Sequence, residues 1–196
     1  FDSIMVLSKW HRDHMRQKYA LDVDRFTIIG NGIVPSRFTE IDVSRTDTVI
    51  YSSSPDRGLD QALELWPEIR RRTGAELRIL YGWENFDLMG GPADFKKKIL
   101  DLAKADGVTW VGRVGQAELA QEMARAKVLF YPGPHPFNET FCITALEAQA
   151  AGCVPVTRNN GALPETNKFG IVLPNDSKSK RWFAAIQDAL NKTEDE

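Results

Sequence analysis

The sequence has little cysteine, no excess of charge and no long hydrophobic run. Only two of its 196 residues are cysteines, Cys142 and Cys153, and both lie among apolar neighbours. Two thiols are typical of a reducing compartment, and we interpret both as buried small hydrophobic residues rather than a disulfide or a metal site. The net charge of −2 lacks the basic excess of proteins that coat nucleic acid. No run of about 18 apolar residues occurs, so we expect no membrane span.

Several motifs of catalysis and cofactor binding are also absent. The sequence has no P-loop, Gly-x-Gly-x-x-Gly, Gly-x-Ser-x-Gly, Cys-x-x-Cys or His-Glu-x-x-His pattern. His11 and His14 lack a third metal ligand nearby, and Asp22-x-Asp24 precedes a predicted strand instead of ending one. We interpret these two pairs as a solvated helix face and a helix-capping turn. We therefore expect no bound metal.

The first residues lack the features of a targeting signal. The segment Phe1-Asp2-Ser3-Ile4 has neither a charged start nor a long apolar stretch, and it has no initiator methionine. We therefore expect no signal peptide, and we expect the chain to be one piece of a longer protein.

Short apolar runs alternate along the chain with stretches of helical periodicity. This alternation is typical of βαβ units and predicts an α/β fold, a Rossmann-like parallel sheet with helices on both faces. Strands are predicted over residues 4–7, 26–29, 48–52, 77–81, 108–111, 128–131, 154–157 and 170–173. Helices are predicted over residues 9–19, 58–72, 93–105, 116–125, 140–151 and 177–191. A linker is predicted over residues 33–47, and the tail 193–196 is expected to fray.

The segment from Tyr131 to Ala148 is the most informative stretch. Ligands of parallel sheets bind outside the carboxyl ends of the strands, so the loop after Tyr131 is a candidate site. We predict a helix that starts near Thr140, with Glu139 at its mouth, whose first-turn N–H groups attract an anion such as phosphate. Glu147 follows eight residues after Glu139, and carboxylates on both sides of an anion site suit a sugar nucleotide. The alternative is that Glu139 only caps the helix and Glu147 pairs at the surface.

A second candidate anion site lies between Ser52 and Gly58, again between a strand and a helix. Arg57 is predicted at the start of that helix, where the helix dipole disfavours a cation. An anionic ligand between Arg57 and the helix N-terminus would resolve this conflict. The alternative is an exposed arginine with no ligand.

Five elements in order along the chain resemble glycosyltransferase family 4, which comprises retaining sugar transferases of the GT-B fold. The segment 139–156, with its Glu139-x7-Glu147 pattern, is similar to the diagnostic segment of that family. Arg57-Gly58-Leu59-Asp60 is similar to a Lys-Gly element of the family, and Trp110-Val111-Gly112-Arg113-Val114 is similar to its base-binding loop. The segment Asn159-Asn160-Gly161-Ala162-Leu163-Pro164-Glu165 is similar to its Gly-x-Pro-Glu loop. Asn31-Gly32-Ile33, with Phe38, is similar to the segment that crosses between the two domains. The resemblance covers nearly the whole chain and indicates a C-terminal donor-binding domain.

The resemblance implies roles at the sugar end of the donor. Glu139 contacts hydroxyls of the transferred sugar on the face where the reaction occurs. The backbone amides of Phe141 and Cys142 help to hold that sugar. Glu139 and Arg57 are the expected catalytic residues.

The resemblance also implies roles at the nucleotide end. Ile143 and Thr144 donate to the diphosphate, aided by Arg57, and Glu147 accepts the ribose hydroxyls. The base is flanked by Gly112, Arg113 and Val114. The class transfers by front-face attack and needs no metal or other cofactor, because cationic groups and the helix dipole stabilise charge on the leaving phosphate.

The sequence departs from the family pattern at three places. Ser52, within the expected donor site, stands where family members usually carry an arginine, so Arg57 is left as the main phosphate cation. Cys142 stands where Gly is common, which narrows the space beside the sugar. Residues 1–32 resemble only the end of an acceptor domain. We therefore divide the chain into a remnant and linker, 1–47, and a donor-binding domain, 48–192.

These features predict the donor-binding part of a retaining glycosyltransferase, inactive as an isolated fragment. Its partners would be a nucleotide-diphosphate sugar, a glycan or lipid-linked acceptor and the missing acceptor domain, and no nucleic acid. The alternative is a nucleotide-sugar binding module without turnover. A GT-B epimerase or phosphorylase is disfavoured, since no cofactor-bearing lysine is evident. We expect a cytoplasmic protein, or one at the inner face of the membrane that it contacts through the missing half.

Overall fold

A computed structural model describes residues 3–134 and 137–192. The strands are β1 (Ile4–Val6), β2 (Phe26–Ile28), β3 (Thr46–Tyr51), β4 (Glu76–Ile79), β5 (Val108–Trp110), β6 (Ala126–Tyr131), β7 (Val154–Arg158) and β8 (Ile171–Leu173). The α-helices are α1 (Lys9–Tyr19), α2 (Ser36–Thr39), α3 (Leu59–Thr73), α4 (Glu84–Leu88), α5 (Ala93–Leu102), α6 (Gln116–Arg125), α7 (Ile143–Ala150), α8 (Leu163–Thr166) and α9 (Ser179–Asn191). Short 3₁₀ helices span Val23–Arg25 and Pro55–Arg57. The tail 193–196, which was expected to fray, lies outside the described residues.

Six strands form one parallel sheet in the order β5-β4-β3-β6-β7-β8. Counted within this sheet, the order is 3-2-1-4-5-6, which is that of Rossmann folds. The predicted Rossmann-like parallel sheet is therefore confirmed. The strand order reverses between β3 and β6, so the fold places its ligand crevice at the carboxyl ends of these two strands.

The two central strands are buried on both faces. Val49 and Ile50 of β3 and Leu129 and Phe130 of β6 have no exposed surface, as expected where helices cover both sides of a parallel sheet. Helix α3 packs against α5 and α9, and α6 packs against α7. The core thus fixes the ends of β3 and β6 rigidly at the crevice.

Helix α7 starts at Ile143, with Cys142 as its N-cap, so the prediction of a helix from Thr140 is wrong by about one turn. The preceding backbone is engaged elsewhere. The N–H of Glu139 donates to Asn160 at 2.8 Å, and the carbonyl of Glu139 accepts from Ala162 at 2.7 Å. Because these bonds hold the chain in an extended loop, residues 139–141 cannot form a helical turn.

The helices α2, α4 and α8 have four or five residues each, and the periodicity did not predict them. A helix this short presents too few residues to show a repeat of 3.6. One of them, α2, interrupts the predicted linker 33–47, and β3 begins within that linker at Thr46.

The N-terminal segment contacts the large sheet domain although its strands β1 and β2 form a separate parallel pair. The carboxylate of Glu165 accepts from the backbone N–H groups of Lys9 at 2.9 Å and Trp10 at 2.7 Å, at the start of α1. The hydroxyl of Ser8 donates to the carbonyl of Thr140 at 2.9 Å. These bonds attach α1 to the loop that follows β6 and to α8.

Candidate functional site

The end of β3 and the start of α7 are joined by a hydrogen bond at the point where the strand order reverses. The hydroxyl of Thr144, in the first turn of α7, donates to the carbonyl of Ser52 at 3.2 Å. Ser52 follows β3 directly and is buried. The structure therefore brings these two predicted site residues together, at the switch point of the sheet.

Glu139 is buried, with 7% of its surface exposed, and its carboxylate has three partners among the described residues. The Tyr131 hydroxyl donates to Oε2 at 2.8 Å, the Phe141 N–H lies 3.4 Å from Oε1, and Arg57 Nη1 lies 3.5 Å from Oε2. No amide from the first turn of α7 is among these partners. The interpretation that Glu139 only caps that helix is therefore wrong.

Tyr131 is a site residue that the sequence reasoning missed. Burial, followed by the neighbouring Cys142 and Glu139, raises the pKa of Tyr131 far above its usual value. Its hydroxyl therefore remains protonated and serves as a donor to Glu139. Its position as the last residue of β6 was the available signal.

A second loop fixes the backbone of Glu139. Asn160 accepts from the Glu139 N–H and donates to the carbonyls of Pro134 and Phe137, at 3.1 Å each. Gly161 has φ +58°, and a Cβ there would lie 2.1 Å from the Glu139 carbonyl oxygen. The loop 159–165 thus positions Glu139, which explains why glycine is needed at 161.

Arg57 ends the 3₁₀ helix Pro55–Arg57, one residue before Gly58 caps α3. Burial by itself lowers the pKa of Arg57, but the neighbouring Tyr131, Glu139 and Asp56 outweigh burial and raise it. The conflict between this cation and the helix dipole is therefore answered by Glu139 within the protein. The Arg57 side chain nevertheless remains 42% exposed.

Glu147 lies one turn into α7 and is 8% exposed. It lines a cavity of about 390 Å³ with Gln116 of α6 and residues 32–34, Arg37 and Phe38. We call this the Glu147 cavity. Within residues 3–134 and 137–192, the Glu147 carboxylate makes neither a side-chain hydrogen bond nor an ion pair, so the interpretation as a surface pair is wrong. Burial raises its pKa, as expected for a carboxylate without a cationic partner.

The predicted base-binding residues lie in the turn between β5 and α6. Gly112 has φ +91°, and the N–H groups of Val111 and Gly112 both reach the carbonyl of Ile79, at 3.0 and 3.3 Å. Val114 packs against the core and Arg113 is exposed. This turn leads into Gln116, so it lies beside the Glu147 cavity. Gln116 was not predicted.

The two predicted sugar-binding residues, Phe141 and Cys142, lie directly before α7. Phe141 precedes α7, and its N–H is directed at Glu139. Cys142 is buried, and burial raises the pKa of its thiol to about 12. The thiol is therefore neutral at physiological pH. Ile143 supplies the first amide of α7.

Neither a metal-ligand cluster nor a membrane-spanning helix is found among the residues that the structure describes. No group of three His, Cys, Asp or Glu side chains suited to a metal ion occurs in the part of the chain that the structure describes. Among the helices of that part, none has the length and apolar character needed to cross a bilayer.

The comparison with protein families shows which family the chain belongs to. A family model described as glycosyl transferases group 1 matches residues 45–196. The chain belongs to this family. The match confirms the resemblance to glycosyltransferases, and it includes Arg57, Glu139 and Glu147.

One curated relative of this glycosyltransferase chain comes from Mycobacterium tuberculosis. It is a GDP-mannose-dependent alpha-(1-6)-phosphatidylinositol monomannoside mannosyltransferase, 34% identical over 128 residues, which cover 61% of this chain and 31% of the relative. The chain spans about a third of the length of the curated relatives that it matches, 31% and 35%.

Solved structures of glycosyltransferases have the same fold. WaaG, a glycosyltransferase involved in lipopolysaccharide biosynthesis, gives a TM-score of 0.73 at 18% identity, covering 96% of this chain and 53% of WaaG. Anabaena Alr3699/HepE, in complex with UDP and glucose, gives 0.73 at 15% identity, covering 97% and 54%. These likenesses confirm the predicted GT-B type of architecture.

Proposed function

We propose that this chain is the donor-binding part of a retaining glycosyltransferase. Residues 48–192 would form the donor-binding domain, and residues 1–47 the end of an acceptor domain and a linker. One arrangement carries the proposal. Arg57, Glu139 and the N-terminus of α7 meet at the switch point of the sheet, and the unpaired Glu147 lines a cavity one turn further along α7.

The diphosphate would lie between Arg57 and the start of α7. The backbone N–H groups of Ile143 and Thr144 belong to the first turn of α7, where the helix dipole favours negative charge. Arg57 can hold two phosphate oxygens in its planar fork. This combination supports a nucleoside diphosphate as the ligand and requires no metal to balance its charge.

The ribose would lie at Glu147 and the base near Gly112, Arg113 and Val114. A buried carboxylate without a partner in the described residues is costly, and two hydroxyl donors would satisfy it. Gln116, on the wall of the Glu147 cavity, provides another polar contact. Ile143, at the diphosphate position, and Glu147, at the ribose position, are one helical turn apart on α7.

Glu139 would face the sugar itself. Its Tyr131, Phe141 and Arg57 contacts hold the carboxylate in place to accept from sugar hydroxyls. In the transfer, the bond between the anomeric carbon and the diphosphate oxygen breaks, and the acceptor oxygen bonds to that carbon on the same face. The acceptor proton passes to the leaving phosphate. Arg57 and the α7 dipole stabilise the charge that develops there.

A titration of the chain with nucleotides tests this proposal. The name of the Mycobacterium relative includes GDP-mannose, and the Anabaena structure contains UDP and glucose, so GDP, UDP, GDP-mannose and UDP-glucose form a suitable panel. We expect binding of at least one nucleoside diphosphate by calorimetry, with AMP as a control that lacks the diphosphate. Absence of binding across the panel would contradict the donor site.

The same donor, with the full-length protein and candidate glycan or lipid-linked acceptors, tests turnover. Release of nucleoside diphosphate with retention at the anomeric carbon supports the transferase. Tight donor binding by a full-length protein that transfers to none of the acceptors would instead support the binding module.

A further inference from the structure

A larger cavity, of about 1030 Å³, lies between α3, α9 and the end of β7. It is lined by Arg158 at the end of β7 and by Trp182 of α9, and we call it the Arg158 cavity. Asp56 and Gly58 line its rim, but Arg57, Glu139 and Glu147 do not. It is therefore separate from the proposed donor site, and its volume is that of a small-molecule pocket.

The buried side-chain donors that have no hydrogen-bond partner among the described residues belong to residues that line this cavity. Among the described residues, three buried side-chain atoms lack a hydrogen-bond partner, namely Arg158 Nε, Ser177 Oγ and Trp182 Nε1. All three residues line the Arg158 cavity. Buried polar groups are nearly always paired, and leaving one unpaired costs about 1–3 kcal/mol. Three unpaired donors on residues that line one cavity point to a ligand that supplies acceptors.

The indoles of two tryptophans show the contrast. Trp66 and Trp182 are both fully or almost fully buried, at 0% and 1% exposure. The Trp66 Nε1–H donates to the Asp106 carbonyl at 3.0 Å, which is the usual arrangement for a buried indole. Trp182 Nε1 has no such acceptor, although its ring packs against Phe130.

Arg158 has no carboxylate partner in the described residues. One of its terminal nitrogens contacts the Gln61 side chain, and its guanidinium lies over the Trp182 ring, 6.0 Å from the centroid. Burial lowers the pKa of Arg158, and the nearby Asp60 only partly offsets this effect. An anion at Nε would stabilise the cation further once the Gln61 side chain rotates away.

The cavity also has acceptors. Asp56, Asp60 and Glu64 line it. Lys98 lies 2.7 Å from Glu64 and 3.6 Å from Asp60, so part of this negative charge is balanced. The lining thus offers N–H and O–H donors together with a cation, and also carboxylates that accept from hydroxyls.

We propose that the Arg158 cavity binds a polyol that carries an anionic group, a phosphate or a carboxylate. The anion accepts from Arg158, Ser177 and Trp182, and the hydroxyls of the polyol donate to Asp56 and Asp60. This ligand is distinct from the nucleotide, because no residue that we assign to one ligand is assigned to the other.

The Trp182 indole provides a direct readout. In the chain labelled with ¹⁵N-tryptophan, the indole N–H signal of Trp182 is identified by its loss in Trp182→Phe. Four probes are titrated: glucose 6-phosphate, glucuronate, glucose and inorganic phosphate. We expect the Trp182 signal to shift with glucose 6-phosphate or glucuronate, the stronger of the two identifying the anion, and the Trp66 signal to stay in place.

Variants assign the effect to Arg158. Arg158→Met should weaken binding of the anionic sugar at least tenfold, whereas Arg71→Met, at an exposed arginine paired with Glu68, should not. A denaturant melt shows whether Arg158→Met is folded, and this check does not depend on the donor site. The proposal is overturned if no probe shifts Trp182, if glucose alone shifts it as strongly, or if Arg158→Met leaves the affinity unchanged. Loss of nucleotide binding in the wild-type chain contradicts the donor site and leaves this test intact.

Discussion

Two buried glutamates, Glu139 and Glu147, differ in every contact that matters for their chemistry. Glu139 is held by a phenol, an amide and a guanidinium, so its orientation is fixed before a ligand binds. Glu147 has no such partner in the described residues, and burial raises its pKa. We therefore expect Glu139 to orient a substrate, and we expect a bound substrate to stabilise the Glu147 carboxylate by donating hydrogen bonds to it.

Glu147→Gln should stabilise the empty chain at neutral pH and weaken nucleotide binding. The pKa of Glu147 in the folded state is raised above the ordinary value of 4.5, so the folded state holds the proton more tightly than the unfolded state. The free energy of unfolding therefore falls as the pH rises from 4.5 through the raised pKa. The gain from Gln should therefore disappear below about pH 4. Affinity for the nucleoside diphosphate should fall roughly 10- to 100-fold. Denaturant melts at several pH values and calorimetry measure both.

Glu122→Gln is a matched control with the opposite sign. Glu122 is equally buried, but it pairs with Arg78 through two bonds of 2.7 and 2.8 Å, so its loss should destabilise the chain at pH 7 and spare nucleotide binding. Glu139→Gln should likewise spare the free nucleoside diphosphate, since we assign Glu139 to the sugar. A destabilised Glu147→Gln at pH 7 would show that its carboxylate has a partner in the folded chain.

Arg57→Ala should weaken diphosphate binding by about 2 kcal/mol or more, because a charged, bidentate contact is lost. The empty chain should lose at most about 1 kcal/mol, since the Glu139 partner lies 3.5 Å away and Arg57 is partly exposed. Calorimetry and a melt without ligand measure the two effects. Arg57→Lys, which keeps the charge without the fork, should fall between. Unchanged affinity in Arg57→Ala would mean that the phosphate binds elsewhere.

At the scale of elements, the loop 159–165 supports the loop that carries Glu139. Gly161→Ala should destabilise the chain by roughly 2–4 kcal/mol, because the residue has positive φ and the new Cβ would collide with the Glu139 backbone. Gly115→Ala is the control, since nothing lies within 4 Å of a Cβ there. A denaturant melt compares the two. Equal stability of both variants would show that the two loops are not packed as described.

The regular elements could be predicted from the sequence because their signals are local. The stripe Leu59, Ala62, Leu63, Trp66 and Ile69 predicted α3, and each of these residues is buried. The start of α7 could not be predicted, because it depends on the bond from Glu139 to Asn160, 21 residues away. Tyr131 and Gln116 were missed because each gains its role from a residue outside its own element, Tyr131 from Glu139 and Gln116 from the cavity that it lines with Glu147.

The site residues themselves were predicted chiefly through resemblance. Glu139, Arg57 and Glu147 were named from spacing and from the family pattern, and the structure brings the first two within 3.5 Å. The carboxylate that pairs with Arg57 could not be predicted, because Glu139 comes from another loop and the dipole of α3 does not reveal it. Electrostatic partners that are distant in sequence are set by topology.

At the scale of the whole molecule, we predict that the purified chain binds a nucleoside diphosphate but transfers no sugar. The chain spans about a third of its curated relatives, and the acceptor-binding surface that we propose for the remainder is needed for turnover. Calorimetry and a donor-hydrolysis assay with a candidate acceptor measure the two properties. Sugar transfer by these 196 residues would contradict the prediction.

The attachment of α1 to the sheet domain has a consequence for protein engineering. Glu165 and Thr140 hold the first turn of α1 through the bonds to Lys9, Trp10 and Ser8. A chimera that joins a foreign acceptor half at residue 47 would discard the donors of all three bonds and leave the Glu165 carboxylate bare. A chimera joined before Ser3 would keep them. The useful graft point therefore lies well upstream of the boundary that composition suggests, and the piece to be moved includes the first two strands.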